Sequence, residues 1–148
     1  IVDCDVHQGN GTANIFLHDS SVFTFSMHQR DNYPMIKEKS DLDVELRNGV
    51  GDDEYCETLS GALERISAEF EADFVFYLAG VDPYEHDQLG GLRLSIDGMR
   101  RRDRLVLEWC RANKTPIAVV LAGGYAINTD DTVQMHCNTY RELESVIG

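Results

Sequence analysis

Short apolar runs alternate along this chain with longer segments in which apolar and polar residues mix. Runs of strand length stand at residues 1–4, 22–27, 42–46, 74–79 and 117–121. The last two are almost continuously apolar, which is typical of strands buried on both faces of a parallel sheet. The pattern therefore predicts a mostly parallel sheet made of these strands.

Helical periodicity fills the spaces between the later runs. A first helix is predicted by apolar residues at three-to-four spacing, namely Tyr55, Leu59, Leu63, Ile66 and Phe70. A second is predicted over residues 95–112, with apolar positions that include Ile96, Met99, Leu105 and Trp109. A third begins near Thr129, and its predicted apolar face carries Val133, Cys137, Tyr140, Leu143 and Ile147. Polar residues 29–40, which include Pro34, predict a long loop.

Alternation of strands and helices predicts the α/β class, with helices packed around a parallel sheet. A length of 148 residues with 43% hydrophobic content suits one domain with its own core. The chain starts with Ile1 inside a strand-like run, so we expect it to be a segment of a longer protein.

Charge, hydropathy and cysteine content indicate which partners and which cellular compartment to expect. The net charge of −13 argues against nucleic acid and would attract cationic partners, although an acidic surface also serves solubility alone. No apolar run is long enough for a membrane span, and no secretion signal opens the chain. Four scattered cysteines then predict reduced thiols in a cytoplasmic protein.

The first candidate for chemistry is the segment of residues 3–11, which reads DCDVHQGNG. Asp3, Asp5 and His7 alternate, so on an extended chain they would project to one side. A carboxylate and an imidazole two residues apart can share one divalent ion. The alternative is a solvated strand end or a helix cap.

Two more candidates follow the most apolar strands. Asp82 comes just after residues 74–79, where a carboxylate is costly unless a metal, a cation or a loop hydrogen bond compensates it. His86 could serve as a spare ligand, but an exposed loop residue is the better interpretation. Tyr125 follows two glycines, and its phenol can donate a hydrogen bond to a developing oxyanion unless it is an ordinary packing residue.

Together, the three clusters are more specific than any one of them. Two carboxylates and one imidazole leave an open position on a tetrahedral zinc ion, as catalytic sites require. A tyrosine donor opposite that ion would complete a site that polarises a carbonyl group.

In this order and spacing the motifs resemble those of the histone deacetylase family, and the similarity extends over essentially the whole chain. The resemblance implies the arginase–deacetylase fold, a three-layer sandwich around a mostly parallel sheet. It also implies that residues 1–148 form the C-terminal portion of a single catalytic domain whose N-terminal part is missing. The expected activity is zinc-dependent removal of acetyl or longer acyl groups from lysine side chains, on a protein or on an acetylated polyamine.

The resemblance also assigns roles to individual residues. The implied zinc ligands are Asp5, His7 and Asp82. The implied catalytic residues are Tyr125, as the transition-state hydrogen-bond donor, and Asp3, which would orient a histidine of the family's His-His pair. A structural K⁺ or Na⁺ would be held by Asp3, Asp5, His7, Ser26 and Met27. The acyl-lysine tunnel would be lined by Tyr33, Leu89 and Gly124.

The sequence departs from the family pattern at several positions, and one departure bears on the expected activity. Asn10 stands where many classes have Asp, which is most like class IV and related bacterial deacetylases. It could hold the second histidine of the pair by a hydrogen bond but supplies no charge. Ala122 replaces a glycine that commonly precedes the Gly-Gly-Tyr motif. The five histidines include no adjacent pair, so the fragment alone is expected to be inactive.

Three other functions stay open at this point. An acetylpolyamine amidohydrolase would use the same site. An arginase-type ureohydrolase would need two manganese ions and further carboxylates, yet Gly9 stands where a bridging Asp would help. A catalytically dead binding protein is the third alternative.

Overall fold

The computed structural model describes residues 1–148, which form five strands and four helices. The strands are β1 (Val2–Asp3), β2 (Phe25–Gln29), β3 (Leu42–Leu46), β4 (Val75–Ala79) and β5 (Ile117–Leu121). The helices are α1 (Asn10–Ile15), α2 (Asp52–Glu69), α3 (Ile96–Asn113) and α4 (Thr129–Ile147). All the predicted strands and helices are present, although their ends differ by a few residues outside β3 and β5.

The largest differences lie near the start of the chain. Strand β2 begins at Phe25 and continues through the polar residues His28 and Gln29, which lie beyond the predicted strand end at residue 27, and Gln29 was predicted to start a loop. These side chains are buried and the strand pairs along its whole length with β3, so pairing rather than hydrophobicity sets its bounds. Helix α1 has only six residues, which is too short for a helical period to be recognised.

The five strands form one parallel sheet in the order β3-β2-β1-β4-β5. Strand β1 therefore pairs with both β2 and β4, and β5 lies at the edge next to β4. Because the strands are parallel, their carboxyl ends meet at one edge of the sheet, where ligands bind in open α/β folds. The segments that follow β1, β4 and β5 converge there.

Three long helices cover one face of the sheet, whereas on the opposite face Phe76 of β4 is 51% exposed. Helices α2, α3 and α4 pack against one another in sequence. Val75 and Tyr77 of β4 are buried, and the Tyr77 hydroxyl donates to Asp103 of α3, which places these helices on that face. Helix α1 connects strands in the opposite direction, so a right-handed crossover places it on the other face. No helix has both the length and the apolar character needed to span a membrane.

The predicted apolar face of α4 was wrong. Its members Val133, Tyr140 and Ile147 are about half exposed. The side chains that α4 buries are Met135, Asn138, Thr139, Glu142 and Val146. Several of these are polar because α4 packs on α3 through ion pairs and hydrogen bonds, and a count of apolar residues does not detect such contacts.

Candidate metal centre

Three predicted ligands meet at the carboxyl edge of the sheet. Asp5, His7 and Asp82 each offer a ligand atom, and these atoms lie within 4.8 Å of one another. The Nδ1 atom of His7 is 3.0 Å from Asp5 Oδ1 and 3.3 Å from Asp82 Oδ2. Zinc bonds of about 2.1 Å in a tetrahedron separate neighbouring ligand atoms by roughly 3.4 Å. The donor set and its spacing therefore fit one zinc ion.

Backbone hydrogen bonds hold the two carboxylates in place. Asp5 Oδ2 accepts from the Gly123 N–H at 3.0 Å, and Asp82 Oδ1 accepts from the Val6 N–H at 2.8 Å. Each carboxylate thus uses one oxygen to bind another strand end and turns the other oxygen towards His7. This division is what a ligand needs if it is to be oriented before a metal binds.

The electrostatics of the cluster favour a positive charge at its centre. Hydrogen bonds to Asp5 and Asp82 raise the pKa of His7 to about 10. Burial opposes ionisation of both carboxylates. In Asp5, hydrogen bonds from His7 and Gly123 outweigh burial and lower the pKa, whereas in Asp82 burial prevails and raises it. Two carboxylates this close call for a compensating cation, and a divalent metal ion supplies one.

A glycine lets the segment after β5 approach the cluster. A Cβ atom on Gly123 would lie 2.7 Å from Asp5 Oδ2 and would overlap Asp82 Oδ2. Any side chain at this position would therefore displace a predicted ligand. The first glycine of the Gly-Gly-Tyr motif is required here by close approach rather than by an unusual backbone angle.

A buried ion pair that was not predicted from the sequence binds the main chain at the ends of β1 and β4. Arg102 is fully buried in α3 and pairs with Asp103 at 2.7 Å. Its guanidinium also donates to the carbonyl oxygens of Cys4, at 3.4 Å, and Gly80. Cys4 and Gly80 lie just before the segments that carry the ligands. The available sequence signal was that Arg102 falls within the apolar stripe of α3.

Tyr125 lies near the same carboxyl ends of the strands, in the loop that follows β5. The residue is 62% exposed, and its hydroxyl has no hydrogen-bond partner in the chain. The main chain is held firmly, because its N–H donates to the Asp87 carboxylate at 2.6 Å and its carbonyl accepts from Gln88. Asp87 was not singled out from the sequence, where it looks like any polar loop residue.

Asp3 does not join the ligand group. Strand β1 ends at this residue and the chain bends over residues 5–7, so the expectation of an extended segment was wrong. Asp3 is buried instead and accepts a hydrogen bond from the Asp5 N–H at 3.0 Å. Burial raises the pKa of Asp3 to about 7. Its predicted role, orienting a histidine from outside the chain, stays a prediction.

The predicted monovalent-cation site can be located but stays a prediction. Ser26 on β2 is the register neighbour of Asp3 on β1. Its hydroxyl contacts the Gly9 N–H at 3.3 Å and His28 Nδ1 at 3.0 Å. The full predicted set of Asp3, Asp5, His7, Ser26 and Met27 thus spans two adjacent strands. Asn10 begins α1, and its side chain makes no hydrogen bond within the chain.

The predicted tunnel residues lie in loops around the cluster. Tyr33 and Leu89 are both more than half exposed, and Asn32 links their loops by donating to the Leu89 carbonyl at 2.8 Å. Gly124 packs so closely on Val81 that a Cβ atom would overlap it. A lining role for these residues stays a prediction. His86 is exposed, as expected for a loop residue outside the ligand group.

Residues 1–140 match the histone deacetylase domain. The chain belongs to this family. It is 48% identical over 146 residues to an uncharacterized protein of Picosynechococcus sp., and the match covers 99% of this chain and 49% of that protein. It is 36% identical to histone deacetylase 2 of Arabidopsis thaliana over 84% of this chain and 33% of that protein.

Solved structures agree with the family assignment. The HDA15 HD domain superposes with a TM-score of 0.77 at 28% identity, covering 97% of this chain and 44% of that one. An HDAC homolog from Aquifex aeolicus gives a TM-score of 0.83 at 21% identity over 97% of this chain and 41% of that one, which supports the fold alone. The arginase–deacetylase fold predicted from the sequence is confirmed. The chain spans about half or less of the length of these relatives.

Proposed function

We propose that this chain is the metal-binding part of a zinc-dependent deacylase that acts on lysine side chains. The observation that carries the proposal is the cluster of Asp5, His7 and Asp82, whose ligand atoms lie within 4.8 Å at the carboxyl edge of the sheet. Membership in the histone deacetylase family supports a hydrolase acting on amide bonds. The family's general base would come from histidines outside this chain.

The proposed chemistry divides between the metal and the protein. Zinc, when bound, supplies Lewis acidity towards a carbonyl oxygen and lowers the pKa of water. Asp5, His7 and Asp82 would hold it, with both carboxylates oriented by backbone N–H groups. Tyr125 would donate its phenolic proton in a hydrogen bond to the oxygen of the acyl carbonyl. That contact strengthens as negative charge develops on the oxygen, which is how such a donor lowers a barrier.

The proposed substrate is an acyl-lysine on a protein or an acetylated polyamine. An acetylated polyamine keeps its other amines protonated, and a lysine-rich protein segment is also cationic, so the chain's net charge of −13 suits both. Tyr33, Leu89 and Gly124 would form part of the passage that admits the acyl group.

The proposed enzyme needs a further part of the same domain. Strand β5 is an outermost strand of the sheet, paired only with β4, and its residues Val120 and Leu121 are 42% and 49% exposed. The apolar stripe of α4 that faces solvent, Tyr140 and Ile147 included, is about equally exposed. We propose that the remaining part of the domain pairs with β5 and covers these side chains. Slow amide exchange over residues 117–121 in the full-length protein is expected, and fast exchange there would contradict this docking.

The decisive experiment measures metal content and hydrolysis of a fluorogenic acetyl-lysine peptide by the full-length protein. One zinc per chain is expected, with activity lost on chelation and restored by zinc. Asp82→Ala should lose both metal and activity. Two manganese ions per chain, or zinc binding that survives Asp82→Ala unchanged, would refute the proposed site.

Tyr125→Phe tests the proposed donor separately. Loss of one such hydrogen bond typically costs a hundredfold or more in turnover. We therefore expect kcat to fall at least a hundredfold while the zinc content holds at the wild-type level. Turnover near that of the wild type would exclude the role.

A further inference from the structure

One buried carboxylate connects the two loops that border the candidate metal centre. Asp87 lies in the loop after β4 and is 9% exposed. Its Oδ1 atom accepts from the N–H groups of Leu89, at 2.8 Å, and Gly90, at 3.0 Å. Its Oδ2 atom accepts from the N–H of Tyr125, at 2.6 Å, in the loop after β5. Asp87 therefore serves three donors from two separate segments.

Other contacts between the same loops surround this carboxylate. The Gln88 N–H and side-chain amide both donate to the Tyr125 carbonyl, at 3.1 and 3.0 Å. The Ile127 N–H donates to the carbonyl of His86 at 3.0 Å, and residues 87 and 126 pair as an antiparallel bridge. The main chain of Tyr125 is thus bound at both its N–H and its carbonyl group, while its ring makes no hydrogen bond. The direction of the ring depends on how this backbone is held.

The chemistry of the contact requires a carboxylate rather than an amide. An ionised Asp offers acceptor oxygens on both sides, whereas Asn offers one acceptor oxygen and one N–H₂ donor. An Asn at position 87 could still serve Leu89 and Gly90 with its oxygen. Its amide nitrogen would then face the Tyr125 N–H, so two donors would oppose each other.

We infer that Asp87 is a positioning residue that aims Tyr125 at the reacting carbonyl. The inference rests on the proposed function, since it takes Tyr125 as the hydrogen-bond donor. Asp87 acts through the backbone of Tyr125 and is not one of the three clustered ligands. Its loss should therefore lower turnover without removing the metal. A misplacement of about 1 Å at a reacting group can cost on the order of a hundredfold in rate.

The test compares four full-length proteins: wild type, Asp87→Asn, Tyr125→Phe and the double variant. We expect Asp87→Asn to lower kcat at least tenfold while KM changes less than threefold and zinc content stays constant. If Asp87 acts through Tyr125, the double variant should be no slower than Tyr125→Phe alone. The matched control is Glu85→Gln, which removes an exposed carboxylate two residues away and should leave kcat unchanged.

Amide exchange supplies a readout that does not depend on activity. The Tyr125 N–H should exchange faster in Asp87→Asn than in the wild type or Glu85→Gln. A double variant slower by the product of the two single effects, a wild-type kcat in Asp87→Asn, or unchanged exchange would each overturn the inference. A wild-type protein that hydrolyses no acyl-lysine peptide would defeat the proposed function, and the exchange measurement would then decide alone whether Asp87 holds Tyr125.

Discussion

Replacing Arg102 with Met should destabilise the protein far more than any surface arginine would. The guanidinium of Arg102 is fully buried against the Asp103 carboxylate at 2.7 Å and also donates to the carbonyls of Cys4 and Gly80. Met keeps an apolar stem of similar length but removes the charge and the donors. Asp103 would be left buried with only the hydroxyls of Tyr77 and Thr139 as partners.

The expected magnitude follows from these contacts. Removing one member of a buried ion pair costs about 3–5 kcal/mol, because the other charge stays out of water without its partner. The two hydroxyl donors moderate this loss, while the abandoned carbonyl oxygens add to it. We therefore expect about 4 kcal/mol, roughly a thousandfold in the unfolding equilibrium. The carbonyls belong to segments that carry Asp5 and Asp82, so zinc affinity should also fall about tenfold or more.

Urea unfolding monitored by circular dichroism measures the free energy, and competition with a chromophoric chelator measures zinc affinity. Arg101→Met is the matched control, since Arg101 is the neighbouring residue on α3 and pairs with Asp53 at 2.8 Å on the surface. Solvent screens a pair this exposed, so its loss should change the free energy of unfolding little. The unfolding slope should be the same in both variants, so that midpoints can be compared.

A loss of stability in Arg102→Met no greater than that in Arg101→Met would show that the buried ion pair does not stabilise the fold. A large loss of stability with unchanged zinc affinity would refute only the link to the ligand segments. Arg102→Lys adds a further check, because it keeps the charge but lacks the forked geometry that reaches Asp103 and the two carbonyls at the same time. It should recover part of the stability and less of the zinc affinity.

Gly123 and Glu142 offer two further tests of the structure. Gly123→Ala should weaken zinc binding at least tenfold, because its Cβ atom would overlap Asp82 Oδ2. Gly61→Ala on α2 is the control, since its Cβ atom meets no atom within 4 Å and the zinc affinity should not change. Equal zinc affinities of the two variants in a chelator competition would contradict the prediction. Burial opposes ionisation of Glu142, but hydrogen bonds from two arginines of α3 outweigh it and hold its pKa below the ordinary 4.5. The stability that Glu142 contributes should therefore be present above pH 4.5 and be lost as pH falls through the lowered pKa. The urea midpoints of wild type and Glu142→Gln should then converge in acid. A difference between the midpoints that does not change with pH would contradict this prediction.

Local patterns predicted most of the regular elements. Strands β3 and β5 match their predicted bounds, because β3 is a strict apolar–acidic alternation between Asp41 and Arg47 and β5 is an apolar run that begins after Pro116. Helix α2 buries Tyr55, Leu59, Leu63 and Ile66 on the face that their spacing predicts. In each case the burial depends on residues that are close together in the chain.

Buried polar side chains were not predicted by the spacing of apolar residues in α3 and α4. The buried face of α4 carries Thr139 and Glu142, which bind polar partners on α3, while the apolar residue Tyr140 faces solvent. Arg102 is buried within an apolar stripe for the same reason. A charged or hydroxyl side chain can be buried once its partners are supplied. Asp103 is the sequence neighbour of Arg102, but the α3 partners of Thr139 and Glu142 and the carbonyls that Arg102 reaches are distant in the chain.

The sequence alone determined which chemical groups stand at the ends of the strands: carboxylate and imidazole after β1, carboxylate after β4, and two glycines with a tyrosine after β5. Only the tertiary structure decided that these groups meet. The order β2-β1-β4-β5 places Asp5 beside Asp82, and the Gly123 N–H within 3.0 Å of Asp5 Oδ2. That order depends on pairing between strands far apart in the chain, such as Val2 of β1 with Tyr77 of β4, which no local pattern encodes. The pairing of β4 with β5 brought Asp87 to Tyr125 and so indicates a positioning role that its sequence neighbours do not suggest.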